Sequence, residues 1–258
     1  MTHTQEPENR VDGKSHDWLL GWSTSSAMKS ICFHHAGGNA HSFRSWAKSV
    51  DPRIQLLAAN LPMSTANGKP YGDVFQLIDK MVDAVEPTLR SQPFALIGHS
   101  MGARLCFELA RELRRRRGPA PRHIFVLAQA APHLNCVPKL QHLDDHAFAN
   151  AIDEHFGGIP QQLLQNSRLL RLFLPTLRAH FALIENSNYR EEAPLDTDMT
   201  CMFGADDTLT EEDLRQWSRH VTGSFFIQKF PGGHFFLKQN ENEILYLVNQ
   251  RLTPDVSL

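Results

Sequence analysis

One pentapeptide in the sequence carries chemistry in its spacing, Gly98-His99-Ser100-Met101-Gly102. It is a G-x-S-x-G pattern, which places a serine on a strand-to-helix turn so sharp that the flanking positions have no room for side chains. Such a turn lifts the hydroxyl above the sheet edge and sets it at the positive end of the following helix. A serine hydroxyl is a weak nucleophile until a base takes its proton. Proteins with this turn order the partners serine, acid, histidine along the chain. Downstream of Ser100, Gly232-Gly233-His234 follows an apolar run, and its two glycines allow a loop that carries an imidazole over the serine. His142, His146, His155 and His180 fall in a helical block, and His220 ends a helical stretch. His123 opens a strand and His133 comes too early in the chain order, so His234 is the expected base.

The acid is expected just after the apolar run 199–203, in Gly204-Ala205-Asp206-Asp207. A carboxylate there would fix the histidine tautomer and stabilise the imidazolium. The other loop available for it reads Gln129-Ala130-Ala131-Pro132 and offers no carboxylate. Spacing alone leaves Asp206 and Asp207 equivalent. A developing oxyanion needs two backbone N–H donors. Met101 supplies one by its position after the serine, and the turn His34-His35-Ala36-Gly37-Gly38 is the expected source of the second. The adjacent histidines have no acidic or cysteine partner at a ligand spacing, so no metal is expected, nor a cofactor.

These groups need a scaffold. Short apolar runs at 30–34, 54–59, 94–98, 124–128, 199–203 and 225–230 read as strands. Val74, Ile78, Met81, Val82, Val85 and Leu89 keep the helical period, and Leu105, Cys106, Leu109, Ala110 and Leu113 mark a second helix. Segments 211–217 and 244–252 read as further helices. Strands alternating with helices imply an α/β fold, a mostly parallel sheet covered on both faces. Residues 144–189 hold no strand but keep helical spacing through Leu170, Phe173, Leu177, Phe181 and Ile184, with Pro175 expected to kink that helix. This block is expected to cap one end of the sheet.

The charges bound the partners. Of 258 residues, 26 Lys and Arg nearly balance 28 Asp and Glu, leaving a net charge of -2. A nucleic-acid partner needs a positive excess and is excluded. Arg114, Arg115, Arg116 and Arg117 form the one charge run, read either as a solvated helix terminus or as a dock for an acidic protein. No apolar stretch is long enough to span a membrane. Residues 1–17 are polar without an apolar core and read as a disordered leader rather than a signal peptide. Cys32, Cys106, Cys136 and Cys201 are far apart, as expected of reduced thiols in a cytoplasmic protein.

With these residues in view, the chain resembles the type II thioesterases, stand-alone editing enzymes of polyketide and non-ribosomal peptide synthetases. It is similar also to the medium-chain thioesterase that works with animal fatty acid synthase. Cys32-Phe33-His34-His35-Ala36-Gly37-Gly38 matches the family's C-F-P-x-A-G-G segment, and the run 94–102 matches F-A-L-x-G-H-S-M-G. Phe156-Gly157-Gly158-Ile159-Pro160, Leu174-Pro175-Thr176-Leu177-Arg178-Ala179, the run 204–207 and the run 231–237 recur in order, so the likeness covers about residues 18–252. The resemblance implies an α/β-hydrolase fold, a single domain over 18–258 with a helical lid inserted at about 135–195. It makes Ser100 the nucleophile, His234 the base and Asp207 the acid, with Ala36 and Met101 forming the oxyanion hole. It implies an acyl thioester on the phosphopantetheine arm of a carrier protein as substrate, and a monomeric enzyme. Phe173, Leu177 and Phe181 would line the acyl channel or pack the lid core. Two departures stand out: His34 replaces a common proline, and Leu61-Pro62-Met63-Ser64 replaces the family's L-P-G-R. A carboxylesterase or lipase on the same scaffold, or a catalytically idle acyl-binding module, are the rival readings.

Overall fold

A computed structural model describes residues 18–22, 27–62 and 64–253. The expected leader at 1–17 and the departing Met63 lie outside these. Six of the seven sheet strands follow the apolar runs: β2 Met28–Phe33, β3 Ile54–Ala59, β4 Phe94–His99, β5 His123–Leu127, β6 Asp198–Gly204 and β7 Phe225–Phe230. The seventh, β1 Leu19–Gly21, is too short to carry a period and pairs antiparallel with β3; the other neighbours run parallel in the order β1-β3-β2-β4-β5-β6-β7. Side chains alternate between two faces, as a pleated strand requires. Ile31, Phe33, Leu57, Leu96, Ile124, Val126 and Cys201 face α1 Val74–Arg90 and α2 Met101–Arg115. Cys32, Leu56, Ala58, Ala95, Ile97, Phe125 and Met202 face Phe43, Trp46 and α7 Glu241–Leu252.

Capping chemistry sets the helix starts. Asp73 accepts Gln76 N–H at 2.8 Å to begin α1, and Thr210 and Asp213 form a reciprocal capping box at α6 Glu211–Arg215. The helix expected over 211–217 is therefore one short α turn, continued as a 3₁₀ turn over Gln216–His220. Between β5 and β6 come α3 Asp145–Phe156, α4 Gln161–Leu164 and α5 Ser167–Glu185. α5 runs on through Pro175, which has no N–H to offer Arg171 O. These helices share a separate apolar core of Phe148, Ile152, Leu170, Leu174, Leu177 and Phe181, against which Ala36 of the sheet body also packs.

The arginine run is engaged within the chain. Arg114 and Arg115 pair with Glu192, and Arg116 pairs with Glu112, Asp83 and Asp79. Three of the four arginines thus tie the end of α2 to α1 and to the segment leading into β6, which favours the helix-terminus reading over a docking face.

Strand order positions the site. β2 is followed by β3 on one side and β4 on the other, so the order reverses between β2 and β4 and leaves a crevice at their carboxyl ends. Phe33 is registered with Gly98, which brings the turn after β2 beside the turn after β4. Gly204 is registered with Phe230, which does the same for the loops after β6 and β7.

Candidate active site

Ser100 sits between β4 and α2 with φ 55° and ψ -119°, a conformation side-chain-bearing residues seldom adopt. Its N–H donates to Leu127 O at 2.7 Å, which holds the turn against β5. A Cβ on Gly98 would overlap the backbone of Gly102 and Ala103, and one on Gly102 would overlap Phe33 O. Both glycines are therefore steric requirements of the turn, as their spacing predicts.

The structure brings Ser100, His234 and Asp207 into one hydrogen-bonded line. Ser100 Oγ and His234 Nε2 are 2.9 Å apart, and His234 Nδ1 and Asp207 Oδ2 are 3.0 Å apart. Burial raises the Asp207 carboxyl, but the hydrogen bond and charge of His234, with the N–H groups of Leu209 and Thr208, outweigh it and hold the group below its ordinary value. An ionised Asp207 can only accept, so Nδ1 carries the proton and Nε2 is left to accept from the serine hydroxyl. The Asp207 side chain is 1% exposed, whereas Asp206 faces solvent. This separates two aspartates that spacing could not. Their loop is pinned to the histidine loop, since Asp206 N–H donates to Gly232 O at 2.9 Å. A Cβ on Gly204 would strike the carbonyls of Gly232 and Gly233.

The turn after β2 completes the site. Gly37 N–H donates to His180 Nδ1 at 2.9 Å and Gly38 N–H donates to His35 O at 3.0 Å, while Ala36 lines the cavity over Ser100. That cavity has a volume of about 200 Å³ and is walled mainly by apolar groups, among them Ile152, Phe156, Phe181, Ile184, Val137 and Phe235. Ser100 and His234 lie on its wall. Of the three residues expected to line a channel or pack the core of the helical block, Leu177 and Phe181 lie in that core with Phe173 packed against it, and only Phe181 also lines the cavity. Phe173 and Leu177 instead press on Gly37, whose φ of 80° and missing side chain let α5 approach the turn. The arrangement can deprotonate a serine, hold an apolar chain beside it and offer amides to a developing oxyanion.

Three supporting residues were not legible as such. His99 Nε2–H donates to the His234 carbonyl at 2.9 Å and so fixes the histidine loop over the serine. Burial, then the neighbouring His35 and His234, hold its pKa well below the ordinary value, which keeps it neutral. His180 is the second, a histidine on the otherwise apolar stripe of α5, and that break in the stripe is its one sequence signal. Phe235 is the third; its ring meets those of His35, His99 and His234 edge-on at centroid distances of 5.0–5.6 Å.

Against known proteins, the model of the thioesterase domain matches residues 30–252. The chain belongs to the thioesterase domain family. It is 31% identical over 225 residues to the medium-chain S-acyl fatty acid synthase thioesterase of Rattus norvegicus, covering 84% of each chain. It is 34% identical over 244 residues to a protein of Brevibacillus parabrevis named linear gramicidin dehydrogenase LgrE, covering 91% of this chain and 92% of that one. Among solved structures, the type II thioesterase BorB from the borrelidin biosynthetic cluster superposes with a TM-score of 0.76 at 30% identity, over 94% of this chain and 99% of that one. The chain is thus a homologue of type II and fatty acid synthase thioesterases, with their α/β-hydrolase fold. Among the described residues no helix is long and apolar enough to cross a membrane.

Proposed function

We propose that the protein is a serine thioesterase that hydrolyses acyl groups from the phosphopantetheine arm of carrier proteins, in the editing role of a type II enzyme. The observation that carries this is the Ser100–His234–Asp207 line set on the wall of an apolar cavity. Family membership supports the thioester as substrate class, and structural relatives that are type II thioesterases of the borrelidin biosynthetic cluster and the yersiniabactin NRPS/PKS pathway support the setting. Three of the four free cysteines are buried thiols, which suits a reducing cytoplasm.

In this reading His234 Nε2 takes the Ser100 proton as Oγ attacks the thioester carbonyl. The resulting oxyanion is held by the amides of Ala36 and Met101, each such donor contributing about 3 kcal/mol to the transition state. The carbon–sulfur bond breaks and the thiolate leaves with the proton from His234. Water, deprotonated by the same imidazole, then cleaves the acyl-serine ester and returns the proton to Ser100. Asp207 stays ionised throughout and stabilises the imidazolium.

The test is a matched pair of acyl-pantetheine substrates, thioester and oxygen ester, with wild type and Ser100→Ala. Wild type should favour the thioester, and S100A should lose about a million-fold in kcat together with the acyl-enzyme seen by mass spectrometry. Faster turnover of the oxygen ester would point to a carboxylesterase instead. Unchanged turnover by S100A would remove Ser100 from the mechanism.

A further inference from the structure

Arg104 stands one turn along α2 from Ser100, about 6 Å of helix rise away. A guanidinium at such a core position loses its water and needs partners in exchange. Those partners fall short. Arg104 Nε–H donates to Glu108 Oε1 at 3.0 Å, but Glu108 also accepts from Arg111 Nη1 at 3.3 Å, so one buried carboxylate faces two guanidinium groups. Arg111 has a second carboxylate in Glu192, whereas Arg104 pairs, among the described residues, with Glu108 alone. Among the described residues, Arg104 Nη2 is buried with no hydrogen-bond partner.

The residue is only 8% exposed, and it lines a second cavity of about 170 Å³. Gln129, Asn135, Lys139 and Asn188 make that cavity polar where the first is apolar. The two cavities adjoin, sharing Gln129, Cys136, Val137 and Ile184 in their walls. Glu185 also lines the second cavity, but its Oε1 already accepts from Leu140 N–H at 3.1 Å.

We propose that the second cavity is an anion subsite in which Arg104 binds a carboxylate at the far end of the acyl group, so that the preferred substrates are thioesters of half-acids rather than plain fatty acyl chains. This rests on the thioesterase reading above. An acyl chain leaving Ser100 crosses the apolar cavity first and meets the polar one beyond it. The planar guanidinium edge matches a carboxylate, and a bound anion supplies the acceptor that Arg104 Nη2 lacks among the described residues. The phosphate of the pantetheine arm is the other anion a substrate carries. It lies two amides from the sulfur, at the carrier surface, whereas Arg104 is nine-tenths buried one helical turn from the serine.

The experiment compares pantetheine thioesters matched in length, glutaryl with pentanoyl and suberoyl with octanoyl, on wild type, Arg104→Leu and Arg104→Lys. Wild-type kcat/KM should favour the carboxylate-ended member by about tenfold or more, the scale of one charge-assisted contact. In R104L the ratio should collapse toward one, and R104K should restore part of it. Equal kcat/KM for the two members in wild type would overturn the subsite whether or not the variants fold. A loss in R104L that follows addition of the 4′-phosphate to the arm, rather than the acyl carboxylate, would also overturn it. If wild type turns over neither thioester, the thioesterase reading fails, and calorimetric titration of free octanoate against octanamide still decides the subsite. Tighter octanoate binding that R104L loses would support it, and no preference, or one that R104L keeps, would overturn it.

Discussion

His180, on α5, accepts the amide N–H of Gly37 through its Nδ1 at 2.9 Å. A side chain of the inserted block thereby holds the backbone turn that carries Ala36. Only a neutral imidazole can accept there, and burial, then the nearby His34 and His35, push the His180 pKa down to about 3. His180→Phe fills the space without an acceptor and should lower kcat about tenfold with little change in KM, because the turn loses its anchor rather than the cavity its shape. His180→Asn keeps an acceptor close to the position of Nδ1 and should recover part of the loss. Steady-state kinetics on one acyl-pantetheine thioester reads both, and a change confined to KM would assign His180 to substrate binding instead.

Acid should unfold this protein early. Burial is the first cause that lowers His35, His123 and His220 to about 4. In the unfolded chain each titrates near 6.5. Between those values the unfolded state binds more protons, so stability is present above about pH 6.5 and is lost as pH falls toward 4. Near pH 5 each of the three groups costs about 2 kcal/mol, and His180 adds to them. Together this approaches the whole stability of a typical domain, about 5–15 kcal/mol. Urea midpoints followed by tryptophan fluorescence should drop steeply from pH 7 to pH 5, and a flat midpoint over that interval would contradict the burial of neutral histidines.

What the chain spells out and what it hides divide along a physical line. Gly98 and Gly102 are legible because each marks a backbone collision that any side chain would cause, whereas the collision at Gly204 with the carbonyls of Gly232 and Gly233 arises only once β6 and β7 are paired. The strands from β2 to β7 are legible because burial on alternate faces leaves short apolar runs. β1 is not, since three residues carry no period and it exists by pairing with β3. The choice of Asp207 over Asp206 depends on which carboxylate the register of β6 and β7 turns inward, a relation between loops that spacing does not encode. Phe173 and Leu177 share a helical face with Phe181, yet only the docking of α5 on Gly37 decides which of the three meets the cavity. Arg104 reads as one more polar residue in a helix until the cavity beside it is seen.

Cys136 offers a chemical probe of the cavity. It is the exposed member of the four free cysteines and lines both cavities. Partial burial, then the charge of Asp213, raises its thiol pKa, so less thiolate is present at neutral pH than in an ordinary cysteine. Iodoacetamide should therefore inactivate slowly at pH 7 and markedly faster near pH 9, because alkylation follows the thiolate. Cys136→Ser should resist, since Cys32, Cys106 and Cys201 are buried and their thiols are pushed up by burial. Equal inactivation of C136S would place the sensitive group elsewhere.

The two adjacent aspartates give a sharp internal control. Asp207 accepts from His234 Nδ1 with its side chain closed from water, while Asp206, one residue earlier, points to solvent and contributes its backbone N–H to Gly232 O. Asp207→Asn keeps size and shape but presents an amide where the imidazole needs an acceptor that fixes its tautomer. Turnover should fall about ten-thousand-fold, the scale seen when a buried triad carboxylate becomes an amide. Asp206→Asn leaves the backbone bond intact and should stay within about twofold of wild type. Both variants keep the loop contacts between β6 and β7, so their melting temperatures should stay close and separate chemistry from folding. A larger loss in D206N than in D207N would reassign the acid.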